Sequence, residues 1–403
     1  MILSDILSAT ILFAVPLLLV ALGGMFSERS GVINIALESI MIIGALISCL
    51  FLSKIETTYY KPVSEQINSV MNSKDKAIVQ EIYDACRDEG ADLPEDIAEL
   101  KLGKKANAKN LISKVPSVTE EMVSKIILDH NMITDYSDAQ MFVYRNPQLF
   151  MIAAILIAGI AGMIYSLLLA FASIHLKADQ TIGGTALNML APALAITLTW
   201  AIQGQGQTTI AIPTWAKISG PTDSFLGNLV FKELYLTTPV ALLLLGLAII
   251  ILYKTRLGLR LRSCGEHPQA AASVGISVYK MRYTGVLFSG FLGGVGGLAF
   301  TLAAGSGFQS SVAGYGFLAL AVMIFGNWKP VSIFLASLFF ALFKVLGSFA
   351  GLIPFLPKFE TITSSDNIYK MVPYIVTMIV LVLTGKKSRA PKAEGIPYDK
   401  GKR

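Results

Sequence analysis

The chain has 403 residues, of which 54% are hydrophobic and 15% are charged, and its formal net charge is +6. A water-soluble protein of this length cannot bury so much apolar surface in one or two cores. The composition therefore excludes an ordinary soluble enzyme or binding module and indicates an integral membrane protein.

Apolar runs of about 17 to 25 residues, long enough to cross roughly 30 Å of hydrocarbon, recur along the chain. They predict an all-α, polytopic membrane helix bundle of about nine spans. The predicted crossings are 6–26, 32–53, 149–173, 182–202, 234–253, two within the uncharged run 283–328, then 330–352 and 371–385. The run 283–328 also fits one crossing followed by a re-entrant piece, because its second part, 316–326, is short. No basic segment precedes the first run, so no cleavable signal peptide is expected.

Basic residues near span ends predict the orientation, because Lys and Arg are retained on the cytoplasmic side. The segment 254–282 and the tail 386–403 are both rich in Lys and Arg, so we expect both to face the cytoplasm. Nine spans then place the N-terminus outside and the turn 26–31 inside. Glu28 and Arg29 of this turn are expected to be solvated by water and lipid headgroups.

Asn34 and Glu38 lie inside the second apolar run and are four residues apart, so a helix there would carry both on one face. An ionisable group within a span is costly when it faces lipid, so this face should point into the bundle. Two roles remain open: a polar clamp between helices, or part of a substrate pathway.

Residues 54–146 are hydrophilic, with 12 Lys plus Arg and 16 Asp plus Glu. They predict a soluble helical insertion outside the cell, between the first two spans (1–53) and the main membrane domain (147–385). The segment 73–90 places Ile78, Ile82 and Cys86 on one helix face and ends at Gly90. A capping box is predicted at Ser117 and Glu120. The insertion is either a docking surface for a partner or a polar insert without activity.

The segment "GEHPQAAASVGISVYKMR" (265–282) is the most informative loop. Pro268 suits a first helical turn and Gly275 suits a helix end, so a short helix with an Ala-rich face is predicted between them. Such a helix fits a groove on a partner, or else lies on lipid headgroups.

Groups for enzymatic chemistry are scarce. The histidines (His130, His175, His267) are far apart and belong to different compartments in this topology, so no metal site or His-based triad is predicted. The topology also leaves no two of the cysteines (Cys49, Cys86, Cys264) on one side of the membrane, so no disulfide is predicted. No complete phosphate-binding loop occurs. We expect no catalytic residue and no cofactor, and if ATP is used, another chain hydrolyses it.

Several segments together resemble the shorter of the two permease subunits of bacterial nucleoside ABC importers. These segments are "GGMFSERSGVINIALESIMIIGA", "KADQTIGGTALNMLAP", "YKTRLGLRLRSCGEHPQAAASVGISVYKMRYTGVLFSGFLGGVGG", "GYGFLALAVMIFGNWKP" and "APKAEGIPYDKGKR". The group belongs to the larger set of permeases for ribose-type sugars and branched-chain amino acids. The resemblance covers the chain except 54–146, and the insertion and Lys344 depart from it.

The resemblance implies a bundle with discontinuous helices and pseudo-repeated halves in the bacterial plasma membrane. Its implied partners are a second permease subunit, a cytoplasmic tandem-domain ABC ATPase and a surface substrate-binding lipoprotein; no nucleic acid is expected. The loop is similar to the "EAA---G" signature, with Gln in place of Glu, whose short helix docks on the ATPase. The residues implied in ATPase coupling are Glu266, His267, Pro268, Gln269, Ala270, Ala271 and Gly275.

A nucleoside needs a flat surface for its base and hydrogen-bonding groups for its ribose hydroxyls. In the glycine-rich stretch 305–317, Phe308, Gln309, Tyr315 and Phe317 are candidates, although interfacial aromatics of an external loop are the alternative. Asn188, in the fourth span, should either bond across the bundle or line the pathway.

We therefore expect a permease subunit that translocates nucleosides by alternating access, driven by a separate ATPase. The substrate pathway is predicted to include Asn34, Glu38, Asn188, Phe308, Gln309, Tyr315 and Phe317. Two alternatives stay open: a permease for ribose-type sugars or branched-chain amino acids, and a membrane anchor or receptor whose working part is 54–146.

Overall fold

The computed structural model describes residues 2–349 except 74, 95–99, 101–106, 116, 131, 134, 205, 219, 221–223, 225–226, 228, 230–231 and 233, together with 375, 378, 382 and 390–399. The described secondary structure is helical, apart from two isolated β-bridges. The chain separates into two compact units: unit 1 comprises Met1–Ser53 and Met151–Arg403, and unit 2 comprises Lys54–Phe150.

The described helices are numbered here in chain order. They are α1 (Ile2–Arg29), α2 (Leu37–Ile55), α3 (Lys61–Met71), α4 (Lys76–Asp88), α5 (Ala108–Lys114), α6 (Glu120–Asp129), α7 (Asp138–Arg145), α8 (Pro147–Ala170), α9 (Gln180–Gln203), α10 (Thr237–Lys254), α11 (Arg256–Glu266), α12 (Pro268–Ser273), α13 (Val278–Ala304), α14 (Tyr315–Phe325) and α15 (Pro330–Phe349). Five-residue π-helical turns, Glu56–Tyr60 and Phe171–His175, follow α2 and α8.

Within the described residues, seven helical stretches are long and apolar enough to cross a membrane. They are Leu3–Arg29, Leu37–Met71, Pro147–His175, Gln180–Gln203, Thr237–Lys254, Val278–Ala304 and Pro330–Ser348. The predicted crossing 371–385 lies outside the described residues except for 375, 378 and 382, and only 390–399 of the tail is described.

Unit 2 has a hydrophobic core of its own, to which α3, α4, α5 and α6 all contribute. Ile82 and Cys86 of α4 are fully buried, as their spacing predicted, while Ile78 packs at the edge. Burial, followed by the nearby charge of Glu89, raises the pKa of the Cys86 thiol to about 11. This thiol is therefore an inert core group at neutral pH.

The predicted capping box at Ser117 and Glu120 is wrong. The N-cap of α6 is Thr119, whose hydroxyl accepts a hydrogen bond from Met122 N, whereas Ser117 Oγ accepts from Asp92 N. A capping box does form at the start of α7, between Ser137 and Gln140. A side chain two residues from the expected position fits the cap geometry better, and spacing alone does not reveal this.

In unit 1, α13 is the central helix. It packs along α1, which also contacts α10, α14 and α15. Its glycines permit close packing: a side chain at Gly294 would collide with the carbonyl of Ala158 in α8, and one at Gly297 with the carbonyl of Met41 in α2. The other glycines of α13 that meet side chains or backbone of α1, α2, α8 or the turn after α1 are Gly285, Gly290, Gly293 and Gly296.

Two breaks interrupt the membrane helices of unit 1. After α1 the chain turns at Gly31 (φ +93°) and remains non-helical until α2 begins at Leu37. Asn34 therefore precedes the helix, and the prediction that it shares a helix face with Glu38 is wrong. The second break is the loop 305–314, after which α14 has only 11 residues. Its length of about 16 Å is roughly half the hydrocarbon thickness, so α14 is a half-helix.

Candidate functional site

The N-terminus of α2 is stabilised by a side chain from another helix. Asn188 of α9 accepts a hydrogen bond from Ser39 N through Oδ1 (3.0 Å) and donates through Nδ2 to the carbonyl of Ile35 (2.9 Å). The first turn of a helix has amides without an intrahelical acceptor, and hydrocarbon offers none. Asn188 therefore caps α2 from the side, which is the cross-bundle partner that its position predicted.

The stretch between α1 and α2 is held by two further amides. Gln180 accepts a hydrogen bond from Ile33 N (2.7 Å), and Asn34 donates to Ser289 Oγ of α13 (2.7 Å). Asn34 and Gln180 are both buried. Asn34 Oδ1 and Gln180 Nε2 meet no hydrogen-bonding group of the described chain. One unused acceptor and one unused donor thus remain beside the first break.

Glu38 caps the half-helix α14. Its Oε1 accepts from Gly314 N (2.9 Å) and its Oε2 from Gly316 N (2.6 Å). A carboxylate at a helix N-terminus satisfies otherwise unpaired amides and interacts favourably with the helix dipole. Of the two roles open for Glu38, this geometry is that of a clamp, which joins α2 to the second break.

The other pathway candidates do not form one surface. Phe308 is buried and pairs with Ile210 through two backbone hydrogen bonds of 2.9 Å. Tyr315 is buried with its ring 4.5 Å from that of Phe300, measured between centroids. Gln309 and Phe317 are exposed. The structure thus brings Tyr315 close to Glu38 through Gly314 and Gly316, and leaves Gln309 and Phe317 on the surface of the chain.

Lys344 of α15 is one of the two features that depart from the resemblance. Its Nζ lies 5.8 Å from the centroid of the Tyr315 ring, within the range of a cation–π contact. Lys344 thus joins α15 to the same region as Glu38.

The opposite end of the bundle, which carries α11 and α12, is named here the loop end. Glu28 at this end is 3% exposed and accepts a hydrogen bond from Trp328 Nε1 (2.6 Å), while Arg29 donates to the carbonyl of Trp328 (3.0 Å). The prediction that water and headgroups solvate Glu28 is wrong. A partner 300 residues away replaces the water, so this pair closes α1 onto the turn after α14.

Arg282 belongs to α13 rather than to an exposed loop. It is 1% exposed, and its Nη2 donates to the carbonyl of Ile396 (2.9 Å). It was counted among the surface charges that fix the orientation, but its charge serves a tertiary contact.

The segment implied in coupling forms two short helices. Glu266 ends α11, His267 precedes α12, and Pro268 is its first residue, as predicted. Gly275 has φ +85°, which confirms the predicted helix end. Pro268 and Ala271 are buried within the chain, whereas His267, Gln269, Ala270, Val274 and Gly275 are exposed. Ala270 and Val274 therefore lie on the exposed side of this segment, and Ala271 holds α12 against the rest of the chain.

Several of these residues were missed or misjudged from the sequence. Trp328 and Ser289 carry no signal beyond being polar groups in the uncharged run 283–328, and Gln180 lies just before the predicted crossing 182–202. Their roles depend on contacts across 147 to 300 positions of the chain. No group of three or more metal-ligating side chains occurs within the described residues.

We predict that Glu38→Ala destabilises the purified protein more than Glu38→Gln. The alanine leaves two amides without an acceptor, which costs about 1–3 kcal/mol each, whereas the glutamine retains one acceptor oxygen. Thermal unfolding in detergent should give midpoints that decrease in the order wild type, Glu38→Gln, Glu38→Ala. Gln309→Ala is the control, because Gln309 is exposed. Equal midpoints for wild type and Glu38→Ala contradict the clamp.

The sequence of the chain is similar to those of known transporter permeases. The guanosine ABC transporter permease protein NupQ of Bacillus subtilis is 36% identical over 407 aligned residues, covering 100% of this chain and 98% of the relative. The nucleoside ABC transporter permease protein NupC of Lactococcus lactis is 33% identical over 400 residues, covering 98% of this chain and 97% of the relative. NupB, a nucleoside ABC transporter permease protein of the same organism, is 28% identical over 172 residues, covering 41% of this chain and 44% of the relative. No solved structure matches the chain.

One family model spans most of the sequence. It is described as branched-chain amino acid transport system / permease component, and it matches residues 6–381. Both full-length relatives are transporter permeases, and the apolar helices are those of a multi-pass membrane protein. The chain therefore belongs to the branched-chain amino acid transport system / permease component family.

Proposed function

We propose that this chain is the membrane-spanning permease subunit of an ATP-binding cassette importer for nucleosides. The observation that carries the proposal is the end-to-end similarity to two permeases whose names specify guanosine and nucleosides. Similarity along the whole chain favours a transport subunit over a receptor anchored by its helices. The same relatives favour nucleosides over ribose-type sugars or branched-chain amino acids.

The pathway in this proposal runs beside the two breaks. Unwound backbone inside a bundle is tolerated where it is buried or lines a cavity, and transporters place substrate at such points. The unused acceptor on Asn34 and the unused donor on Gln180 match the hydrogen-bonding edge of a nucleobase or the hydroxyls of ribose. They become available when α9 and α13 move apart during alternating access.

ATP hydrolysis belongs to a separate subunit in this proposal. The exposed face of α12, together with Val274 directly after it at 75% exposure, is the surface on which a cytoplasmic tandem-domain ATPase docks. A second permease subunit completes the translocation unit, consistent with the two differently named nucleoside permeases of Lactococcus lactis. A surface lipoprotein delivers the nucleoside.

The topology in this proposal has nine crossings in the bacterial plasma membrane. The seven long helices supply seven, the segment formed by 305–314 and α14 supplies one, and 371–385 supplies the last. The end of α1, the end of α11 and the turn after α14 meet at the loop end, which supports this count. The loop end then faces the cytoplasm, and unit 2 is a soluble domain outside the cell.

We expect nucleosides to stimulate ATP hydrolysis by the complete complex, reconstituted with its ATPase, second permease and lipoprotein. Guanosine and a pyrimidine nucleoside are compared with ribose and leucine at equal concentrations. Only the solute that is transported should complete the transport cycle and so accelerate ATP hydrolysis. Stimulation by a nucleoside alone supports the proposal. Stimulation by ribose or leucine but by neither nucleoside contradicts it.

The sidedness is tested by labelling in intact cells with a membrane-impermeant maleimide. Ser113→Cys lies on the surface of unit 2 and Ser273→Cys on the surface of α12, and the three native cysteines are buried. We expect labelling of Ser113→Cys in intact cells and of Ser273→Cys only after permeabilisation. The reverse pattern contradicts the orientation.

A further inference from the structure

The C-terminal segment 391–399 is folded against unit 1, although its sequence predicted a basic tail. We name this segment the strap. Pro391, Ala393 and Tyr398 are buried, while Ile396 is 56% exposed. The strap therefore behaves as a packed element of the loop end.

One side of the strap holds the helix pair α11–α12. Ala393 N donates to the carbonyl of Gly265 near the end of α11 (2.8 Å). Tyr398 lies in one hydrophobic cluster with Cys264, Ala271 and Val278, and its ring packs edge-on to Tyr279 at 5.5 Å between centroids. Burial raises the pKa of the Cys264 thiol, so this contact is apolar at neutral pH. The strap thus covers the buried face of α12.

The other side of the strap reaches the first break. Gly395 lies against Ile33, such that an added Cβ would approach Ile33 Cδ1 to 2.8 Å. Arg282, which binds the carbonyl of Ile396, also lies beside Gly31, the turn that begins the break. The strap ends at an ion pair between Asp399 and Lys177, in the link that leads to Gln180 (3.4 Å). Two of these contacts reach the non-helical stretch 31–34.

We propose that the strap is a positioning element that links the movement of α12 to the first break. This inference rests on the proposed function, because it assumes that α12 receives the movement of an ATPase. On one side, the strap contacts Ala271 and Gly265. On the other side, it contacts Ile33 directly and Gly31 through Arg282. A displacement of α12 that carries Tyr398 with it therefore pulls on the backbone that Gln180 and Asn34 hold.

The residues that carry the link differ from those that meet the ATPase. Tyr398 and Ala393 contact α11 and α12 from the buried side, whereas Val274 faces outward. If the contacts of Tyr398 and Ala393 are lost, the ATPase should stay bound, but less nucleoside should be transported for each ATP hydrolysed. If the exposed surface at Val274 is lost, the ATPase should dissociate.

The test compares variants in the complete reconstituted complex. Tyr398→Ala removes the ring from the cluster, Tyr398→Phe retains it, and Asp399→Asn removes only a partly exposed ion pair. Three quantities are measured: the ATPase that co-purifies, basal ATP hydrolysis, and nucleoside transported per ATP hydrolysed. Hydrogen exchange at Ala393 N confirms that Tyr398→Ala loosens the strap.

We expect Tyr398→Ala to retain the ATPase and basal hydrolysis, and to lower the nucleoside transported per ATP by roughly tenfold, within the usual range of coupling between sites. For Tyr398→Phe and Asp399→Asn, the nucleoside transported per ATP should stay within about twofold of the wild-type value. The first variant removes only a hydroxyl group, and the second removes a partly exposed ion pair, which contributes little. Unchanged transport per ATP in Tyr398→Ala with faster exchange at Ala393 overturns the inference. A loss of assembled complex in proportion to uptake, with transport per ATP unchanged, also overturns it, because the strap is then only structural.

Failure of the proposed function gives a different result. Val274→Asp should release the ATPase without altering exchange at Ala393. If Val274→Asp retains the ATPase and full transport, the docking surface is misassigned whatever Tyr398→Ala does.

Discussion

The structure depends on one constraint: a helix that begins inside a membrane bundle must find acceptors for its first amides from its own chain. Hydrocarbon supplies none, and each unsatisfied group costs several kcal/mol. Two helices of this chain, α2 and α14, follow breaks. Asn188 caps α2, and Glu38 at the start of α2 caps α14. One cap connects α9 to α2, and the other connects α2 to α14. The polar residues that interrupt the apolar runs therefore fix the positions of the interrupted helices relative to each other.

The same arrangement explains how a permease of this family combines rigidity with movement. The glycines of α13 bring three helices into backbone contact, which leaves little freedom along its length. The two breaks are held by a few hydrogen bonds, and these bonds can change partners more easily than packed helices can separate. At the loop end, Arg282 with the strap ties the first break to the surface that carries α12, and Glu28 with Trp328 ties α1 to the turn after α14. Movement at that surface therefore reaches the first break through side chains, while the core stays packed.

Hydropathy and local rules predict what depends on neighbours in the chain. The apolar runs identify the long helices, and Pro268 and Gly275 mark the limits of α12 because each acts through its own backbone. Most of the errors concern partners distant in sequence. Glu28 next to Arg29 is typical of a solvated turn, and nothing nearby indicates that Trp328 replaces the water. Asn34 and Glu38 have helical spacing, but Gly31 delays the helix to Leu37. The strap has the composition of a tail, and only its packing against Cys264 and Ala271 reveals its role.

Site-resolved hydrogen exchange at the amides of Ser39 and Gly316 in the purified protein tests the capping of the two breaks most directly. Both amides should be strongly protected in the wild type, because each donates to a side chain in a dry interior. Asn188→Ala should expose Ser39 alone, and Glu38→Ala should expose Gly316 alone. If both amides exchange in the wild type as fast as in an unfolded peptide, or if neither substitution changes them, the polar side chains do not hold the broken helices.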